Sequence, residues 1–97
     1  MPPTDPIEPV VTHDPAGQRF ELILDGHHCE LTYRREGDHV VFTHTFVPPE
    51  LRGRGVAEQL VRAGLAWAKG EGRRVVPACS YVARFIQRHE EFQPLLG

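Results

Sequence analysis

The segment Val47-Pro48-Pro49-Glu50-Leu51-Arg52-Gly53-Arg54-Gly55-Val56-Ala57 joins two stretches of opposite character. Upstream, Val40-Val41-Phe42-Thr43-His44-Thr45-Phe46 is rich in β-branched and aromatic residues, the composition of a strand. Downstream, Val56, Leu60, Gly64 and Trp67 recur at helical spacing, with Ala57, Val61, Leu65 and Ala68 beside them. The order is therefore strand, short loop, helix, the helix running from about Gly53 to Lys69. Glycines at a helix start let the backbone come close to a bound group. The free N–H groups of the first turn carry partial positive charge, about half an elementary unit in all. Together these features predict an anion site, and phosphates are the usual ligands of such a site.

Two common phosphate loops fail on spacing. A P-loop needs Lys-Ser or Lys-Thr after its last glycine, where this chain has Val56-Ala57. A dinucleotide fingerprint needs a third small residue where this chain has Glu58. What remains is Val47, Pro49, Arg52, Gly53, Gly55, Val56 and Ala57 in order, and it resembles the acyl-CoA pyrophosphate loop of the GNAT N-acetyltransferases. That family's signature is Arg or Gln, two residues, Gly, one residue, then Gly or Ala, met here by Arg52, Gly55 and Ala57. The alternative is an ordinary loop with a glycine-softened helix start.

Outward from the loop, the chain divides at its turn residues. Pro2, Pro3 and Pro6 in a stretch without periodicity predict a loose tail over residues 1–8, followed by one domain over 9–97. Val10 to His13 is a short strand candidate closed by Asp14-Pro15-Ala16-Gly17. Arg19 to Leu24 alternates, Asp25-Gly26 is a strong hairpin signal, and His28 to Arg34 is the return strand. Glu36-Gly37-Asp38 turns the chain into the strand from Val40 to Phe46. After the long helix, Gly70-Glu71-Gly72 is a stop, Arg73 to Pro77 a short strand, and Ser80 to about His89 a helix with Ser80 as N-cap. Gln93-Pro94 should end regular structure, leaving Leu95 and Leu96 to pack locally. The result is an α/β (α+β) fold, β-β-β-β-α-β-α. Its sheet is mostly antiparallel, with one parallel pair between residues 39–47 and 74–78 made by a right-handed crossover.

The resemblance implies the same order, as a minimal GNAT-like fold without the two helices usual between the first strands and without the last strands. His44-Thr45-Phe46-Val47-Pro48-Pro49 and Cys79-Ser80-Tyr81-Val82 are similar to a small GNAT-like subfamily of the yjdJ type. It implies acetyl-CoA as cosubstrate, its pyrophosphate on the N–H groups of residues 52–57. Arg52, Gly53, Arg54, Gly55, Val56 and Ala57 would form that cradle, with the pantetheine arm along the backbone of Phe46 and Val47.

Composition narrows the function classes. The chain has 97 residues, 40% hydrophobic and 25% charged, with a net charge of −2, an ordinary globular balance for one domain. That charge argues against a nucleic-acid module. Arg52, Arg54, Arg62, Arg73, Arg74, Arg84 and Arg88 do lie in the second half, so a local patch suited to a phosphate-rich small molecule remains. Cys29 and Cys79 are too few for a disulfide framework, no signal-like start is present, and no run reaches the length of a membrane span. A cytoplasmic location without membrane contact is the expectation. The six histidines show no metal-ligand spacing, so no metal is expected.

Two residues carry the chemistry in this reading. Cys79 follows the last strand and precedes a helix, a position that lowers a thiol pKa and favours the nucleophilic thiolate. His44, on the neighbouring strand and expected on the same side of the sheet, is the partner or general base. Tyr81 and Arg84 are weaker candidates for a proton donor to the leaving thiolate and a phosphate contact. Cys29, Trp67 and Phe85 read as structural, and His27 and His28 as solvated hairpin residues. The predicted activity is acetyl transfer from acetyl-CoA to an unidentified small-molecule or peptide amine, directly or through an acyl-cysteine. The alternative is a non-catalytic module that binds CoA or acyl-CoA.

Overall fold

The computed structural model describes residues 10–97. The expected tail, residues 1–8, lies outside them. Five strands form one sheet in sequence order: β1 (Thr12–Asp14), β2 (Arg19–Leu24), β3 (His27–Glu36), β4 (His39–Phe46) and β5 (Arg74–Pro77). Helix α1 (Val56–Gly70) connects β4 to β5, and α2 (Ser80–Arg88) follows β5. The first four strands pair antiparallel and β4 pairs with β5 in parallel, which is the α/β arrangement expected. The Asp25-Gly26 turn has positive φ at both residues (52° and 77°), the geometry a two-residue hairpin needs to match strand twist.

The register explains where the core lies. Phe20 opposes Leu31, Leu22 opposes Cys29, Tyr33 opposes Phe42 and Val40 opposes Val75, so all eight side chains share one sheet face. They join Val56, Leu60, Val61, Leu65 and Ala68 of α1 and Val82, Phe85 and Ile86 of α2 in a single buried cluster. Gly64 lets α1 settle closely: a β-carbon there would stand 2.9 Å from both Leu31 Cδ2 and Phe42 Cε1. Both helices therefore lie on one face, and the other face presents Arg19, Glu21, Ile23, His28, Glu30 and Thr32 with no covering helix among the described residues. Alternation on these strands follows, core side inward and polar side outward.

Several boundaries differ from expectation. Strand β1 begins at Thr12 rather than Val10, because its ladder with β2 starts at Thr12↔Glu21. Helix α1 begins at Val56, not Gly53. Gly53 and Gly55 have φ of 83° and 77°, left-handed values that a right-handed helix excludes, so both glycines belong to the loop. Cys79, not Ser80, is the N-cap of α2, with extended φ −81° and ψ 129° and no side-chain cap bond. The Phe42 carbonyl fixes it there by accepting from the Cys79 N–H at 2.9 Å. The chain does not lose regularity at Gln93-Pro94 either: Glu90–Leu95 is a 3-10 turn containing Pro94. Leu96 then bridges Val75 in parallel fashion.

Candidate functional site

The site arises where β4 outruns β5. Parallel pairing ends at Phe42↔Pro77, and beyond it only the Cys79 N–H continues along β4, at the Phe42 carbonyl. Thr43 to Phe46 keep β3 on one side and, among the described residues, no strand on the other. The chain then passes through a 3-10 turn, Pro49–Leu51, and the two left-handed glycines before entering α1. This brings the free edge of β4 and the N-termini of both helices to one place.

A β-bulge sets which side chains face that place. Tyr33 opposes Phe42 while Thr32 opposes His44, so Thr43 is the extra residue. Past the bulge the alternation changes parity. Thr45 opposes core-facing Leu31 and turns to the helix side, whereas His44 opposes Thr32 and is exposed on the open face. The expected placement of His44 on the same side as Cys79 is therefore corrected. Uninterrupted alternation from Val40 and Phe42 would put residue 44 there, and the extra residue gives that place to Thr45.

A pocket of about 450 Å³ lies against this helix-side surface. Thr45, Val47 and Leu51 form one wall, Arg52, Gly53 and Gly55 the loop, and Val56, Ala57, Glu58 and Tyr81 the remainder. Six residues named from the sequence for the cofactor thus meet here: Val47, Arg52, Gly53, Gly55, Val56 and Ala57. Phe46 and Arg54 are not among the lining residues. Phe46 opposes Glu30, on the open face, and Arg54 is paired with Asp25 at 2.9 Å. Arg52 donates its Nε–H to the Val47 carbonyl at 3.2 Å, which holds the guanidinium at the loop.

The donors of this loop suit an anion. Gly55 is the N-cap of α1 and supplies no side-chain cap, so among the described residues the N–H groups of the first turn have no side-chain cap. A β-carbon at Gly53 or Gly55 would meet no atom within 4 Å, so the space over the backbone is open. Glu58 introduces a negative charge at the same rim, offset by its ion pair with Arg62 at 3.0 Å. A smaller pocket of about 180 Å³ shares Glu58 and Tyr81 and adds Arg84, Arg88 and His89. Tyr81 has its phenol pKa raised, by burial first and then by Glu58, with Arg88 opposing.

Cys79 is half-buried beside this pocket, its Sγ 3.4 Å from the Thr45 hydroxyl. Burial alone would raise its pKa. The Thr45 hydroxyl, the backbone N–H groups of Val82 and Tyr81 in the first turn of α2, and that of Thr45 outweigh burial and bring it below the ordinary thiol value. Cys29 contrasts with it: fully buried in the core, its thiol is pushed up by burial.

Thr45, Leu51 and Glu58 were not singled out from the sequence. Leu51 and Glu58 flank the loop, and proximity alone was a signal for them. Thr45 depends on the bulge, which no residue type announces. The fold also assembles donors that linear spacing does not show: Glu21, His28 and Glu30 bring ligand atoms within 4.8 Å of one another on the open face. Arg19 already stands 3.1 Å from the Glu21 carboxylate.

A sheet with one parallel pair, a glycine loop entering the crossover helix, and a pocket at that helix N-terminus define an α/β domain with a site suited to an anionic ligand. Comparison with known proteins agrees: the sequence model of GCN5-related N-acetyl-transferases matches residues 19–95, and the chain belongs to that family. Protein NATD1 of Bos taurus is 34% identical over 82 residues, covering 81% of this chain and 73% of the bovine protein. Protein NATD1 of Danio rerio is 31% identical over 88 residues, 88% of this chain and 80% of that one. The solution structure of a GCN5-like protein from Staphylococcus aureus superposes with a TM-score of 0.72, covering 91% of this chain and 87% of that chain. At 22% identity that likeness speaks for the fold.

Proposed function

We propose that this chain transfers an acetyl group from acetyl-CoA to a small-molecule or peptide amine. The observation that carries the reading is the pocket between the free edge of β4 and the uncapped start of α1. Its donor set fits the cosubstrate. N–H groups of residues 52–57 would hold the pyrophosphate, with Arg52 beside them and the open space over Gly53 and Gly55 admitting it. The edge of β4 along Phe46 and Val47, beside which no strand lies among the described residues, would hold the pantetheine arm as an added strand. Arg54 would contribute by closing the loop onto Asp25, and Arg84 would offer a phosphate contact from the neighbouring pocket.

Cys79 and His44 take separate places in this mechanism. Cys79, on the helix side, would act as nucleophile. Its thiolate would attack the thioester carbonyl, the carbon–sulfur bond to CoA would break, and the departing CoA thiolate would take a proton from the raised-pKa Tyr81 phenol or from water. The amine would then attack the acyl-cysteine and regenerate the thiolate. His44, on the open face and so across the sheet from Cys79, would meet only an acceptor bound on that side, and the amine that attacks the acyl-cysteine would give its proton to water. Residues 9–97 form a single transferase domain in this reading, and the cytoplasm is the compartment that suits two free thiols. Among the described residues no helix is long and apolar enough to cross a membrane.

Acetyl-CoA consumption with a panel of amines and basic peptides tests the proposal. Turnover that Cys79→Ala abolishes supports the acyl-cysteine route. Turnover that survives it assigns direct transfer. CoA binding with no turnover on any acceptor would leave a binding module instead.

A further inference from the structure

The bulge at Thr43 has a chemical consequence. We infer that Thr45 is the positioning residue that poises Cys79, joining the thiol to the wall of the acyl-CoA pocket. The inference rests on the reading of Cys79 given above.

Three observations meet at this residue. Thr45 lines the pocket proposed for the acyl-CoA. Its hydroxyl is 3.4 Å from Cys79 Sγ, within the reach of a hydrogen bond to sulfur. Its inward orientation depends on the parity change between Tyr33↔Phe42 and Thr32↔His44. Without the extra residue, His44 would face Cys79 and Thr45 would face solvent. A histidine there would exchange protons with the thiol, whereas a threonine donates one hydrogen bond and has no titration near neutral pH. The fold thus selects stabilisation of a thiolate over proton abstraction from a thiol.

The hydroxyl serves the anion specifically. A thiolate has no proton to donate and accepts strongly, so the Thr45 O–H turns toward sulfur and the ionised form gains the bond. The first-turn N–H groups of Tyr81 and Val82 approach the sulfur from α2. Thr45 approaches it from β4, which fixes the sulfur between the two elements and beside the pocket. Cys79 N–H on the Phe42 carbonyl holds the backbone in place from the same strand. Removing the hydroxyl should therefore change the ionisation and reactivity of Cys79.

The test uses the full chain with Thr45→Val, which keeps the branched shape and loses the hydroxyl, and Thr45→Ser, which keeps the hydroxyl. The rate of Cys79 alkylation by iodoacetamide, followed by peptide mass spectrometry across pH, reports ionisation without any need for turnover. In Thr45→Val the midpoint of the profile should move up and the rate at neutral pH fall by about tenfold. In Thr45→Ser both should return to within about twofold of the unaltered protein. The kcat should fall in the valine variant and recover in the serine variant. An unmoved alkylation profile in Thr45→Val, or a serine variant that matches valine, overturns the inference. Turnover in Cys79→Ala judges the catalytic reading separately, since the alkylation profiles do not depend on it.

Discussion

Cys79 and Cys29 are the same residue type in two environments, and the difference between them is measurable. Cys29 lies in the core, where burial disfavours its thiolate; Cys79 has the Thr45 hydroxyl and the first turn of α2 to stabilise its own. At pH 7.5 Cys79 should react with iodoacetamide at least about tenfold faster than Cys29, and saturating CoA should protect it. Equal rates, or no protection, would return Cys79 to a packing role. His13 supplies a second titration. It stacks on Phe20 at 4.1 Å and shares a 2.6 Å hydrogen bond with the Tyr33 hydroxyl. Its pKa is lowered below 6.5 by burial and then by Arg35, with Asp14 and Glu71 opposing. The unfolded chain therefore binds this proton more readily than the folded one. The contribution is fully present above pH 6.5 and is lost as pH falls through the lowered folded value. Urea midpoints measured from pH 7.5 to 5 should decline, and His13→Gln should flatten that part of the slope.

At the scale of elements, α1 is held to the sheet by Gly64 as much as by its apolar stripe. With Leu31 and Phe42 already 2.9 Å from where a β-carbon would stand, Gly64→Val should cost about 1–3 kcal/mol through overpacking, read from the urea midpoint. An unchanged midpoint would mean that the helix shifts without cost. The elements themselves were legible beforehand for clear reasons. Asp25-Gly26 announces its hairpin because both residues accept positive φ, and the spacing of Val56, Leu60 and Gly64 announces a helix on a sheet. The start of α1 was misjudged at Gly53 because helical spacing says nothing about φ, and the two left-handed glycines hold the loop open. Alternation alone puts His44 on the helix side, because it cannot reveal Thr43 as an extra residue. Local propensity carries the strands, but the parity of a bulged strand is decided by its partner.

The described residues form two layers whose helices share one face, with the glycine loop and the Cys79 thiol at the same end of that face. Ligand held between β4, α1 and α2 ties the three elements together, so acetyl-CoA should stabilise the fold. At a hundredfold excess over its Kd the gain is about 2.7 kcal/mol. In a domain of this size that raises the melting temperature by roughly 10 °C or more. The central claim is that the loop over residues 52–57 holds the phosphates of acetyl-CoA, and calorimetric titration of the unaltered protein beside Gly55→Val tests it most directly. Gly55 has φ 77°, which a β-branched residue resists, and its N–H is one of those expected to hold the phosphates. The prediction is a micromolar Kd for the unaltered protein, about 8 kcal/mol, and at least a roughly tenfold weaker one for Gly55→Val with the fold retained by circular dichroism. Equal affinity in the two proteins, or no binding in the first, would contradict the account.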